Sequence, residues 1–145
     1  MAETLITDKT DALAQAKDGG GGLEYHSDEL RADKEVVMAV VNNYGLELEY
    51  ASDELKADKE VVMVAVKNNG YALDHVSDEL RADKEVVMAA VKKDGCALQH
   101  VSDELRADKE VVMVAVKNDP YYGMALGYAS DELQTDPEIL ALIDD

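Results

Sequence analysis

Ser27-Asp28-Glu29-Leu30 recurs at residues 52–55, 77–80, 102–105 and 130–133. The steps between copies are 25, 25, 25 and 28 residues. A fixed period of this length is the mark of a repeat architecture. One such unit cannot bury its own apolar face, so it must stack on its neighbours. The phase also runs backwards: 25 residues before Leu30, Asp33-Lys34 and Gly45 stand Leu5, Asp8-Lys9 and Gly20. Ala2-Glu3-Thr4-Leu5 is a worn copy of the motif, and 8–17 is a worn copy of the segment that follows it. Nearly the whole chain is repeat, with no separate catalytic domain attached. The spacing divides one domain, 1–145, into a degenerate unit 2–26, units 27–51, 52–76, 77–101 and 102–129, and a partial capping unit 130–145.

Within each unit, the segment equivalent to 33–43 reads as a helix. Asp33 is a good N-cap and Glu35 puts negative charge in the first turn. Lys67, Lys92 and Lys117 fall in the last turn, where the helix dipole favours cations. Gly45, Gly70 and Gly95 follow in the C-terminal capping region. Val36, Val37, Val40 and Val41 cover one broad face, widened by Met38, as expected of a helix buried between neighbours. The β-branched run Val61-Val62-Met63-Val64-Ala65-Val66 also fits a buried strand. Cap, lysine end and glycine stop together favour a helix of about three turns.

A second segment spans 46–55. Leu48, Ala51 and Leu55 lie at i, i+3 and i+7, one face of a helix. Ser52 either sits inside that helix or caps a new turn. The fold class expected is all-α: a solenoid-like array of two-helix repeats about 25 residues long.

The pattern Ala-Leu-x-Tyr/His-Ala/Val-Ser-x-Glu-Leu-Arg-x-Asp-x-Glu-Val-Val-x-x-Ala-Val-x-x-x-Gly, read best from 72–95, resembles a family of short tandem repeats of unknown function that occurs in long arrays. Segments starting near Leu23, Leu48 and Leu98 match it as well. The resemblance implies a helical repeat and carries no activity, cofactor or catalytic residue. The chain departs from it at both ends: 8–17 lacks the Val-Val pair, and Gln134-Thr135-Asp136-Pro137 replaces Arg-Ala-Asp-Lys.

With 14 basic and 32 acidic residues the formal charge is −18. It ranges from −1 in 77–101 to −6 in 130–145. Phosphate backbones need a basic footprint, so a nucleic-acid partner is not expected, and anionic membranes are disfavoured alike. Apolar runs stop at six residues, far short of a membrane span, and no signal peptide is legible. With its one cysteine, Cys96, the chain is expected in an intracellular, reducing compartment such as the cytoplasm.

The candidate sites each have a plain structural reading. The Asp-Glu pairs lack the oxygen-rich, glycine-centred loop of a calcium site, and helical units stack about 10 Å apart, too far to share one ion. They read as helix-start electrostatics, with Arg31, Lys56, Arg81 and Arg106 as local charge partners. His75 and His100 share a column with Tyr25, Tyr50 and Tyr128, a slot for an amphipathic ring rather than a metal. Cys96 stands in the column of Leu46 and Tyr71 and fills an apolar slot. Met38, Met63, Met88 and Met113 border the valine face and read as core, or as an adaptable contact surface. Gly19–Gly22 lacks the Gly-Lys-Ser/Thr of a phosphate loop and reads as a flexible joint.

No catalytic constellation, metal site or cofactor site is expected. The expected role is a non-enzymatic protein-binding or scaffold module, with a protein partner, a basic one on the charge balance, or a place in a larger assembly. The alternative is a weak divalent-cation-binding or acidic solubilising protein. The candidate partner contact is Pro120-Tyr121-Tyr122, a three-residue insertion that breaks the period.

Overall fold

The computed structural model describes residues 4–121 and 123–144. Five long helices stack in succession: Lys9–Lys17, Lys34–Asn43, Lys59–Asn68, Lys84–Lys93 and Lys109–Lys117. A single turn, Pro137–Leu140, ends the series, with proline at the position where its missing amide is harmless. Asp33, Asp58, Asp83 and Asp108 are the N-caps, each accepting the amide of the valine three residues on. Among the described residues there is no β-strand, only one isolated bridge between Ile6 and His26. The β-branched run 61–66 is therefore helical, and Val61, Val62, Ala65 and Val66 form its buried face.

The second segment of each unit is split in two. Residues Gly45–Tyr50, Gly70–His75 and Gly95–His100 are 3₁₀ helices, and Asp53–Lys56, Asp78–Arg81 and Asp103–Arg106 are short α-helices. Ser52 stands between the pieces in an extended conformation (φ −61°, ψ 155°), and its hydroxyl accepts the Leu55 amide. The extended serine turns its own amide outward to the previous unit. Ser52 donates to Arg31 O at 3.0 Å, Ser77 to Lys56 O at 3.1 Å, and Ser102 to Arg81 O at 3.2 Å. A continuous helix would have used those amides internally. Leu48, Ala51 and Leu55 are all buried, but from two helical pieces rather than one.

The glycines that follow the long helices do not serve as left-handed caps. Positive φ occurs at Gly19, Gly21 and Gly123 and at none of Gly45, Gly70 or Gly95. What those three permit is contact. A Cβ on Gly70 would stand 2.5 Å from Ala90 O of the next long helix, and one on Gly95 would stand 1.9 Å from Ala115 O. The left-handed cap appears instead at the worn first unit. There Gly19 has φ +75°, its amide donates to Ala16 O, and Gly20 donates to Gln15 O, which is a Schellman closure. The joint at Gly19–Gly22 is thus a hydrogen-bonded turn. Ala2 and Glu3 of the worn motif lie outside the described residues.

One core runs the length of the array. Leu23, Leu48, Leu73 and Leu98 are fully buried, as are the paired valines of the long helices. Leu30, Leu55, Leu80, Leu105 and Leu133 of the repeated motif are buried beside them. Fully burying a Val or Leu side chain is worth about 1.5–3 kcal/mol, so this column outweighs any exposed ion pair in the stack.

Candidate functional site

The site is built from what the core leaves uncovered. On the four long helices that carry a buried valine pair, the two residues after it stay half-buried: Met38-Ala39, Met63-Val64, Met88-Ala89 and Met113-Val114. They pack on the core from one side and face solvent on the other, so the methionine column is core and surface at once. Between the second and third of these pairs lies a groove of about 460 Å³, lined by Met63, Lys67, Glu85, Met88, Ala89, Lys92 and Lys93. A second hollow of about 350 Å³, lined by Asn42, Val64, Lys67, Asn68 and Lys93, shares two of those lysines.

The electrostatics of the groove differ from the rest of the chain. A ladder of ion pairs uses up the first lysine of each long helix. Lys34 reaches Asp58 at 2.9 Å and Glu60 at 2.7 Å, and Lys9, Lys59, Lys84 and Lys109 make the same pair of contacts one unit on. These contacts hold Asp33, Asp58 and Asp83 below the usual carboxylate range, against the opposing effect of burial. Glu85 of the groove belongs to this ladder, 2.7 Å from Lys59. Lys67, Lys92 and Lys93 do not: no carboxylate among the described residues comes within 4.0 Å of them.

The repeated Asp-Glu pairs occupy the first turns of the short helices and are exposed. The arginines expected to neutralise them point elsewhere. Arg81 donates from Nε to Val76 O at 3.0 Å and from Nη2 to Asp74 O at 2.6 Å. Arg106 does the same to Val101 O and Gln99 O, and Arg31 to His26 O and Glu24 O. A guanidinium fork thus takes up carbonyls at the end of the preceding 3₁₀ helix. Among the described residues no basic group comes within 4.0 Å of the acidic column. No group of three His, Cys, Asp or Glu side chains converges as a metal site among the described residues.

The insertion is held by one carboxylate. Asp119 accepts the amides of Tyr121, Gly123 and Ala125, each at 2.8 Å. Burial opposes its ionisation, but the Ala125, Tyr121 and Gly123 amides together hold it below the usual range. Pro120 and Tyr121 are exposed, Tyr121 at 64%. Tyr122 lies outside the described residues. Cys96, 1% exposed, places its sulfur 3.4 Å from Asp119 Oδ1. Burial, then the Asp119 contact, pushes its thiol up to about 11.

A family model described as a domain of unknown function (DUF4116) matches residues 20–56, 33–81 and 83–134. The chain belongs to that family. No curated protein and no solved structure matches it. The DUF4116 matches run in tandem, the first two overlapping, in keeping with the 25-residue units seen in the fold. Against that regular background the individual residues stand out. Asn43 and Asn68 end their long helices, Asn118 caps Lys109–Lys117, and Asn68 bonds Asn42 O, Asn43 O and the Gly45 amide. Lys93 takes the same position in the third full unit and turns an amide into a cation on the groove. His26 takes a position that is Ala or Val in the other units. It is buried, its Nδ1 bonds Gly22 O at 2.9 Å, and its Nε2 has no partner among the described residues. His75 and His100 do not meet on a shared ligand. His100 lies 3.1 Å from Asp74, and its ring stands edge-on to Tyr71.

Sequence reasoning saw the methionine column but not the groove. The signal was present: Lys67 and Lys92 each stand four residues, about one helical turn, after Met63 and Met88, which places each pair on one face.

Proposed function

We propose that this chain is a non-enzymatic protein-binding module, a scaffold whose docking surface is the half-exposed methionine stripe of the stacked long helices. One observation carries this reading: the apolar groove along Met63 and Met88 is rimmed by lysines that meet no carboxylate among the described residues. Methionine adapts its shape to varied partners, and repeat arrays present long continuous faces. The acidic short-helix column adds salt-sensitive attraction for a basic surface on a partner. Pro120 and Tyr121 serve as a second contact, since tyrosine brings large area at little conformational cost.

The test compares proteins that co-purify from the source cell with the natural chain, with a Met63→Glu, Met88→Glu variant, and with Tyr121→Ala. Loss of a partner from the methionine variant, at unchanged circular dichroism, supports the stripe as the docking surface. An identical partner set for all three sinks the proposal.

A further inference from the structure

The groove points to a particular kind of occupant. This inference rests on the stripe being a docking surface and adds what docks there. We propose that the groove formed by Met63, Lys67, Met88, Ala89, Lys92 and Lys93 binds an amphipathic α-helix of a partner protein, apolar on one face and flanked by Asp or Glu.

The helical form follows from the backbone. The groove lies on the Lys59–Asn68 and Lys84–Lys93 helices, whose amides and carbonyls are bonded within themselves. It offers side chains and no strand edge, so an extended peptide would leave its own main chain unpaired on apolar surface. A helix satisfies its backbone internally and presents side chains at i, i+3, i+4 and i+7 to a groove.

The acidic flanks follow from charge. The lysine ladder neutralises Glu85 through Lys59, while Lys67, Lys92 and Lys93 meet no carboxylate among the described residues. The unit that supplies two of these lysines, 77–101, carries four basic residues against five acidic ones and is the least acidic stretch of a −18 chain. The chain's total charge repels an acidic partner at a distance. At physiological salt the screening length is about 8 Å, so the three lysines at the rim outweigh carboxylates on remote units.

The experiment uses the full chain and two synthetic helical peptides with the same leucine face, one flanked by Glu and one by Lys. Binding is read by fluorescence anisotropy at physiological salt, and location by the methyl NMR signals of Met63 and Met88. The Glu peptide is expected to shift both methyl signals, and Lys67→Glu with Lys92→Glu and Lys93→Glu should weaken it at least tenfold. Met88→Ser should weaken it as well, with the helical spectrum intact. If the Lys peptide moves the Met63 and Met88 signals and the Glu peptide does not, the acidic occupant is wrong while the docking stripe stands. If neither peptide moves them, both ideas fall.

Discussion

Lys59 Nζ lies 2.9 Å from Oδ2 of Asp83, the residue that caps the next long helix. Asp83 thus does two jobs: its Oδ1 accepts the Glu85 and Val86 amides, and its Oδ2 takes the lysine of the unit before. The two are separable. Asp83→Asn keeps a good capping side chain and removes the charge, whereas Asp83→Ala removes both. The alanine variant should lose about 1 kcal/mol for the cap alone, and the asparagine variant a fraction of that. Urea denaturation of both variants checks this. Equal losses would show that the ion pair, not the cap, is what matters.

The ladder, together with the amide-held Asp119, also fixes the acid limb of stability. Asp33, Asp58, Asp83, Asp108, Asp119 and Asp136 are all held below their ordinary value in the folded chain. The unfolded chain therefore binds more protons, and their stabilising contribution is complete above the unfolded value of about 3.9. It drains away as pH falls through the folded values. Thermal melts should be flat from pH 7 to about 5 and fall steeply below about 4. A melting temperature unchanged at pH 3 would rule out the ladder as a contributor.

Cys96 governs part of the alkaline limb. Its thiol is pushed up to about 11. The folded chain thus favours the protonated thiol, and stability should decline as pH climbs from about 8.5 toward that value. A thiol so placed is a poor nucleophile. N-ethylmaleimide should label Cys96 slowly in buffer and quickly in urea, and equal rates would contradict its burial.

The glycines make a paired test. Gly70→Ala puts a methyl 2.5 Å from Ala90 O, a backbone atom that cannot swing aside. Overpacking of this kind costs typically about 1–3 kcal/mol. Gly127 has nothing within 4 Å of a built Cβ. Gly127→Ala should therefore be neutral or slightly stabilising, because it restricts the unfolded chain. Calorimetry of the two variants compares them directly, and a harmless Gly70→Ala would mean the units are farther apart than the fold places them.

Leu80 reports on stacking from the other side of the unit. It is buried in the motif that named the repeat, and Leu80→Ala should cost roughly 2–5 kcal/mol. A loss below about 0.5 kcal/mol would put the side chain on the surface.

Much of this was legible in the residues. Asp33, Glu35 and the Val36-Val37 pair give the long helix its start and its face within one residue of the observed Lys34–Asn43. The break at Ser52 was not decidable, because the bond that favours it reaches Arg31 O in another unit. The same holds for Gly70, whose reason is an oxygen twenty positions away, and for Arg81, whose partners are carbonyls with no side-chain signature. For Gly70 and Arg81 local rules named the residue type and gave it another purpose, because the partner lies in a neighbouring unit. The lysine ladder left a readable trace. Its column runs Lys9, Lys34, Lys59, Lys84, Lys109 and then Pro137, which has no ammonium to offer.

Bonds between full units join equivalent positions at almost constant separation, as Lys34 to Asp58 and Lys59 to Asp83 show. Excising 52–76 would bring Ser77 to Arg31 O and Asp83 to Lys34, each the same chemical type as the partner removed. The interface is register-neutral: it recognises a kind of neighbour, not a particular one. Span then becomes a variable for such a chain, changed in whole 25-residue increments by recombination with the serine bridge and the lysine ladder kept. Selection on reach and selection on folding are thereby uncoupled.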